Sequence, residues 1–97
     1  MKKSYLKKGN ICKVTFELGT DVEAEDVVVL GEFNNWSPEA HPLKKGKKGG
    51  FSTTVSLEAG QTYRFRYLLD RNRWLNDPEA DNFIPNQFGT QDSVIAL

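Results

Sequence analysis

The chain offers few side chains that could do covalent chemistry. It has one histidine, His41, and one cysteine, Cys12. Cys12 lies inside the strand-like run Ile11-Cys12-Lys13-Val14-Thr15-Phe16, where a small core hydrophobe is the simplest reading. His41 sits between Ala40 and Pro42 in an expected solvated loop. Neither a Cys-His pair nor a Ser-His-Asp triad is suggested. The carboxylates of Asp77, Glu79 and Asp81 are close in sequence and could form a glycosidase acid–nucleophile pair. Such pairs act across a deep cleft, which a small domain seldom supplies. The same segment resembles the start of a calcium loop, but Asn82 and Phe88 stand where the loop needs Gly and an acidic residue. No metal-ligand spacing and no cofactor are implied.

Binding chemistry is better represented. Lys44, Lys45, Lys47 and Lys48 form a basic cluster among glycines, read as a solvated, flexible loop. Arg64 and Arg66 alternate with Tyr63, Phe65 and Tyr67, so the arginines share an outer face and the aromatics face the expected core. An RNA-stacking surface is therefore not favoured. The two tryptophans, Trp36 in a polar turn and Trp74 just after a hairpin tip, are harder to bury than strand aromatics. An exposed indole pair makes an apolar platform suited to the C–H face of a pyranose, with polar partners at the rim. Ordinary core packing is the competing account.

The elements that must hold these residues are strands. Cys12, Val14, Phe16 and Leu18 alternate on one face, as do Phe51, Thr53, Val55 and Leu57, and Tyr63, Phe65, Tyr67 and Leu69. Val27 to Leu30 is a short continuous apolar strand ending at Gly31. Asn34-Asn35-Trp36-Ser37-Pro38, Glu58 to Gln61 and Asp70 to Arg73 read as turns, and Ser93 to Leu97 as a closing strand. No helical period exceeds a turn. The pattern predicts an all-β fold, an antiparallel β-sandwich of immunoglobulin-like size. Residues 1–10 are expected as a basic N-terminal tail and residues 11–97 as one sandwich domain.

With 13 basic and 13 acidic residues the formal net charge is zero, which argues against a nucleic-acid-coating protein. A hydrophobic content of 38 % is too high for a disordered chain. No secretory signal or membrane span is evident, so a cytoplasmic protein with no membrane partner is expected. Ninety-seven residues also leave no room for a catalytic barrel.

Four segments in this order carry a resemblance: Val29-Leu30-Gly31-Glu32-Phe33-Asn34-Asn35-Trp36-Ser37, Tyr63-Arg64-Phe65-Arg66-Tyr67-Leu68-Leu69-Asp70, Trp74-Leu75-Asn76-Asp77-Pro78 and Gln87-Phe88-Gly89-Thr90. Over residues 11–97 the chain resembles carbohydrate-binding module family 48, the isoamylase N-terminal early-set domain. That family includes the glycogen-binding domain of the AMP-activated protein kinase β subunit and modules appended to glycogen branching and debranching enzymes. The resemblance implies an early-set sandwich that binds α-1,4-glucans such as glycogen, starch or maltooligosaccharides.

By the same resemblance Trp36 and Trp74 match the stacking tryptophans. Arg66 matches a basic residue where the kinase-type module has lysine, and Phe88 matches an apolar residue where leucine is usual. Thr90 and Asp92 match a polar pair whose second member is asparagine in the kinase-type module. Asp92 can accept but not donate, which makes its contact the least secure. The expectation is a non-catalytic glucan-binding module whose partner is a polysaccharide or oligosaccharide, with a glucan-metabolising enzyme in trans as a further candidate partner. The alternative is a protein-interaction or assembly domain of the same fold.

Overall fold

The computed structural model describes all 97 residues. In chain order the strands are β1 (Lys2–Tyr5), β2 (Ile11–Leu18), β3 (Val27–Gly31), β4 (Lys44–Lys45), β5 (Phe51–Glu58), β6 (Thr62–Leu69), β7 (Arg73–Leu75), β8 (Asn82–Pro85) and β9 (Gln91–Ala96). A single 3-10 turn at Glu32–Asn34 is the only helical element. One sheet has the order β1-β2-β5-β4 and the other the order β3-β6-β9-β8. Every pairing is antiparallel, and the two sheets pack as an immunoglobulin-like sandwich.

Alternation decides which side of each strand enters the core. In β2, Cys12, Val14, Phe16 and Leu18 are all buried, and Val55 and Leu57 face them from β5. Phe65, Tyr67 and Leu69 of β6 and Ile95 of β9 close the core from the second sheet. Phe16 meets Phe65 edge to face at 5.1 Å and stacks on Phe33 at 5.4 Å.

The chain changes sheets between the 3-10 turn and β4. Pro42 bridges Val28, Leu43 N donates to Val27 O at 2.8 Å, and Lys44 and Lys45 then pair with Ser52 and Phe51 of the other sheet. Leu43 turns its side chain into the core at the crossing. The lysine-rich segment expected as a flexible loop thus begins as a strand and closes as a hairpin, with Gly46 N donating to Gly50 O at 3.0 Å.

Residues 1–10, expected as a tail, contain an edge strand. Lys2 to Tyr5 pair with Thr15 to Cys12 of β2. Lys3 Nζ crosses to the second sheet, reaching Asp81 Oδ2 at 2.7 Å and Ala96 O at 3.0 Å. His41 also departs from expectation, since it is half-buried rather than solvated. Its Nδ1 lies 2.9 Å from Asn34 Nδ2 and its ring packs near Phe33.

Candidate functional site

The outer face of the second sheet is a groove, built on β6. Alternation sends Arg64, Arg66 and Leu68 away from the core, and the register sets Leu30 opposite Arg66 and both Val28 and Trp74 opposite Leu68. On the side of β6 away from β3, β9 pairs with its first half and β7 with its last three residues. The floor is therefore continuous from Asp92 to Trp74.

Trp36 is delivered by the turn that follows β3. Gly31 begins it, and no other residue fits there: a Cβ would stand 2.5 Å from Arg64 O and 2.9 Å from Phe65 Cβ. Asn34 then closes the turn. Its Oδ1 accepts from Gly31 N at 3.0 Å and its Nδ2 donates to Val29 O at 3.0 Å. Those two contacts fix the amide's orientation, so Nδ2 also donates to His41 Nδ1, which must be the acceptor. Asn35 and Trp36 take left-handed backbone, with φ of 55° and 56°, and Trp36 N donates to Gly31 O at 2.9 Å. A tryptophan held there carries about 1–2 kcal/mol of strain. Its indole rests on Val28, Leu30 and Leu68, an apolar cluster separate from the main core. This pedestal explains why β3 reads as continuously apolar: its inner side faces the core and its outer side faces Trp36.

Trp74 comes from the β6–β7 hairpin, whose tip places Asp70 and Arg71 at φ of 50° and 62°. The Asp70 carboxylate accepts from Glu25 N and Asp26 N, both at 2.9 Å. Those two backbone bonds, aided by Arg73, hold the Asp70 carboxyl below the usual aspartate range. Trp74 is 49 % exposed, and the Arg66 guanidinium lies 5.5 Å from its ring centroid. Arg66 Nη1 also approaches Thr90 Oγ1 at 3.4 Å, while its Nε has no partner.

The third wall is the β8–β9 tip, where Phe88 is 79 % exposed. Behind it Asp92 is nearly buried, with Oδ1 accepting from Asn86 Nδ2 at 3.0 Å and Oδ2 lying 3.5 Å from Arg64 Nη1. The groove encloses about 770 Å³ and is lined by Trp36, Arg66, Trp74, Phe88, Thr90 and Asp92 together with Glu32, Arg64, Pro85, Asn86 and Gln87. Its lining holds two arginines and two acids, whose formal charges cancel. Two indoles, an exposed phenyl ring and a rim of fixed donors and acceptors have the chemistry suited to stacking against sugar rings and hydrogen-bonding hydroxyls.

Residues 13–96 match the family described as the glycogen recognition site of AMP-activated protein kinase. The chain belongs to that family. It is a carbohydrate-binding module. No curated protein matches the chain.

In this glycogen-recognition domain all six residues singled out in the sequence lie on one groove. Glu32, Arg64 and Asn86 line it too and were not singled out. Arg64 shares the alternation of Arg66, so its face was legible but its proximity to Asp92 was not. Glu32 accepts from Arg64 N at 2.7 Å, extending the ladder where β3 ends.

The three carboxylates considered for acid–base work take separate positions. Asp77 is 2 % exposed and accepts from the Tyr67 hydroxyl at 2.8 Å, while its own amide donates to Ser93 Oγ at 3.0 Å. Burial, then the Asp77 charge, push the Tyr67 phenol far above the usual tyrosine range. Asp81 pairs with Lys3, and Glu79 is exposed. Asn76-Asp77-Pro78 thus anchors the loop behind Trp74. No three His, Cys, Asp or Glu side chains converge as metal ligands.

Proposed function

We propose that the domain binds α-1,4-linked glucans such as glycogen, starch and maltooligosaccharides without cleaving them. Trp36 and Trp74 stack on consecutive glucose rings and Phe88 completes the apolar surface. Arg66 donates to sugar hydroxyls, and Thr90 and Asp92 supply further hydrogen bonds at the rim. The domain would bring glucan to an enzyme of glucan metabolism acting in trans. The convergence of two indoles, one from the turn after β3 and one from the β6–β7 hairpin, on one groove whose formal charges cancel supports this reading. A surface this open loses much of its gain to sugar desolvation and ordering, so affinity is expected at about micromolar to millimolar.

Maltoheptaose titrated against intrinsic tryptophan fluorescence tests it. A saturable change at or below millimolar sugar is expected, and a flat signal rejects glucan binding. A second reading draws on the exposure of Phe88, which would also suit a protein partner docked in the same groove. A stoichiometric complex that persists in excess maltoheptaose would favour it.

A further inference from the structure

Asn86 makes no obvious platform and offers no charge, yet more groove contacts pass through it than through any residue singled out from the sequence. Its Oδ1 accepts from Phe88 N at 2.9 Å, Thr90 N at 3.2 Å and Thr90 Oγ1 at 3.1 Å. Its Nδ2 donates to Thr90 Oγ1 at 2.9 Å and Asp92 Oδ1 at 3.0 Å. The backbone closes around the same residue, with Asn86 N donating to Thr90 O at 2.9 Å.

These partners admit one orientation of the amide. Backbone N–H groups need an acceptor, and the Asp92 carboxylate needs a donor. A shorter hydroxyl could not serve both sides, and a carboxylate would set two like charges about 3 Å apart.

We infer that Asn86 is the positioning residue of the groove, fixing the Phe88–Thr90 tip and the Asp92 carboxylate in place for the glucan. The inference rests on the glucan-binding reading above. Asn86 acts through those neighbours, whose conformations it sets before the ligand arrives. Asp92 transmits the effect to the floor, because its second oxygen faces Arg64 of β6.

The test compares wild type, Asn86→Ala and Asn86→Asp by maltoheptaose titration and by amide hydrogen exchange of the free proteins. Asn86→Ala should lose protection at the Phe88 and Thr90 amides and bind about tenfold more weakly. Asn86→Asp keeps the acceptor but faces Asp92, with Arg64, Arg66 and Glu32 the other charged groups on the groove. It should bind weakly at pH 7 and recover near pH 5, where one shared proton restores a donor between the two carboxyls. A merely structural role would not produce that pH profile.

Protection retained in Asn86→Ala, affinity unchanged in Asn86→Ala, or an Asn86→Asp affinity equal at both pH values would each overturn the inference. If wild type fails to bind maltoheptaose while Asn86→Ala still loses protection, the glucan reading falls, and with it the role in binding; Asn86 is then left as the organiser of the tip alone.

Discussion

Trp36 and Trp74 bring indoles to one groove from different foundations, and substitution should separate them. Trp74 is half-exposed at the end of a hairpin, so Trp74→Ala should cost at most about 1 kcal/mol of stability. Trp36 covers Val28, Leu30 and Leu68, so Trp36→Ala uncovers an apolar cluster and should cost about 2 kcal/mol. In the proposed mode each is a stacking platform, so each substitution should weaken maltoheptaose binding about tenfold or more. The left-handed backbone at residue 36 adds a finer test. Trp36→Gly loses the same ring but relieves the strain, so it should be more stable than Trp36→Ala by about 1 kcal/mol. Thermal melts and fluorescence titration of the three variants measure all of this; equal stability of the Ala and Gly variants would remove the strain from the account. At this scale the tryptophans were legible because a large apolar residue in a polar turn is conspicuous. Asn86 was not, because a loop asparagine looks the same whether it holds a turn or merely tolerates one.

Strands with one buried face announced themselves through alternation, as β2, β5 and β6 show. β1 did not, since all four of its residues are exposed and no pattern distinguishes it from a basic tail. What joins such elements to the rest is polar and partly electrostatic. Asp70 ties the β6–β7 tip to residues 25 and 26, and Asp81 ties β1 to β9 through Lys3 and the Ala96 amide. Burial alone would raise the Asp81 carboxyl, but Lys3 and the Ala96 N–H outweigh it and hold it below the usual range. Both carboxyls are thus lower in the folded state than in the unfolded chain, where aspartate titrates near ~3.9. Their stabilising effect is complete above that value and is lost as pH falls through the folded values. The part of the melting temperature that these two carboxyls supply should be constant above about pH 4.5 and decline below about pH 4. Asp70→Asn with Asp81→Asn should flatten that decline, because an amide keeps an acceptor without titrating. An acid profile identical to wild type in the double variant would assign the decline to other groups.

At the scale of the whole molecule, charge balance separates the ligand classes. Lysines and arginines equal aspartates and glutamates in number, and the groove repeats that balance with Arg64 and Arg66 against Glu32 and Asp92. The lysine cluster that could have offered an anion site begins on β4, in the opposite sheet from the groove. Neutrality of the chain was plain from composition, but neutrality of the site depends on Asp92 meeting Arg64 across 28 positions of sequence. A neutral glucan bound in a neutral groove displaces no counterions and gains nothing from long-range attraction. Its affinity should therefore change less than about twofold between roughly 50 and 500 mM NaCl. A nucleic acid held through several phosphate contacts loses about a thousandfold or more over a narrower range, and an acidic protein partner would weaken in the same direction. Maltoheptaose titrations at the two salt concentrations measure it. A tenfold fall in affinity at high salt would mean that a charged group carries the binding, and that the arginines act on an anion rather than as donors to sugar hydroxyls.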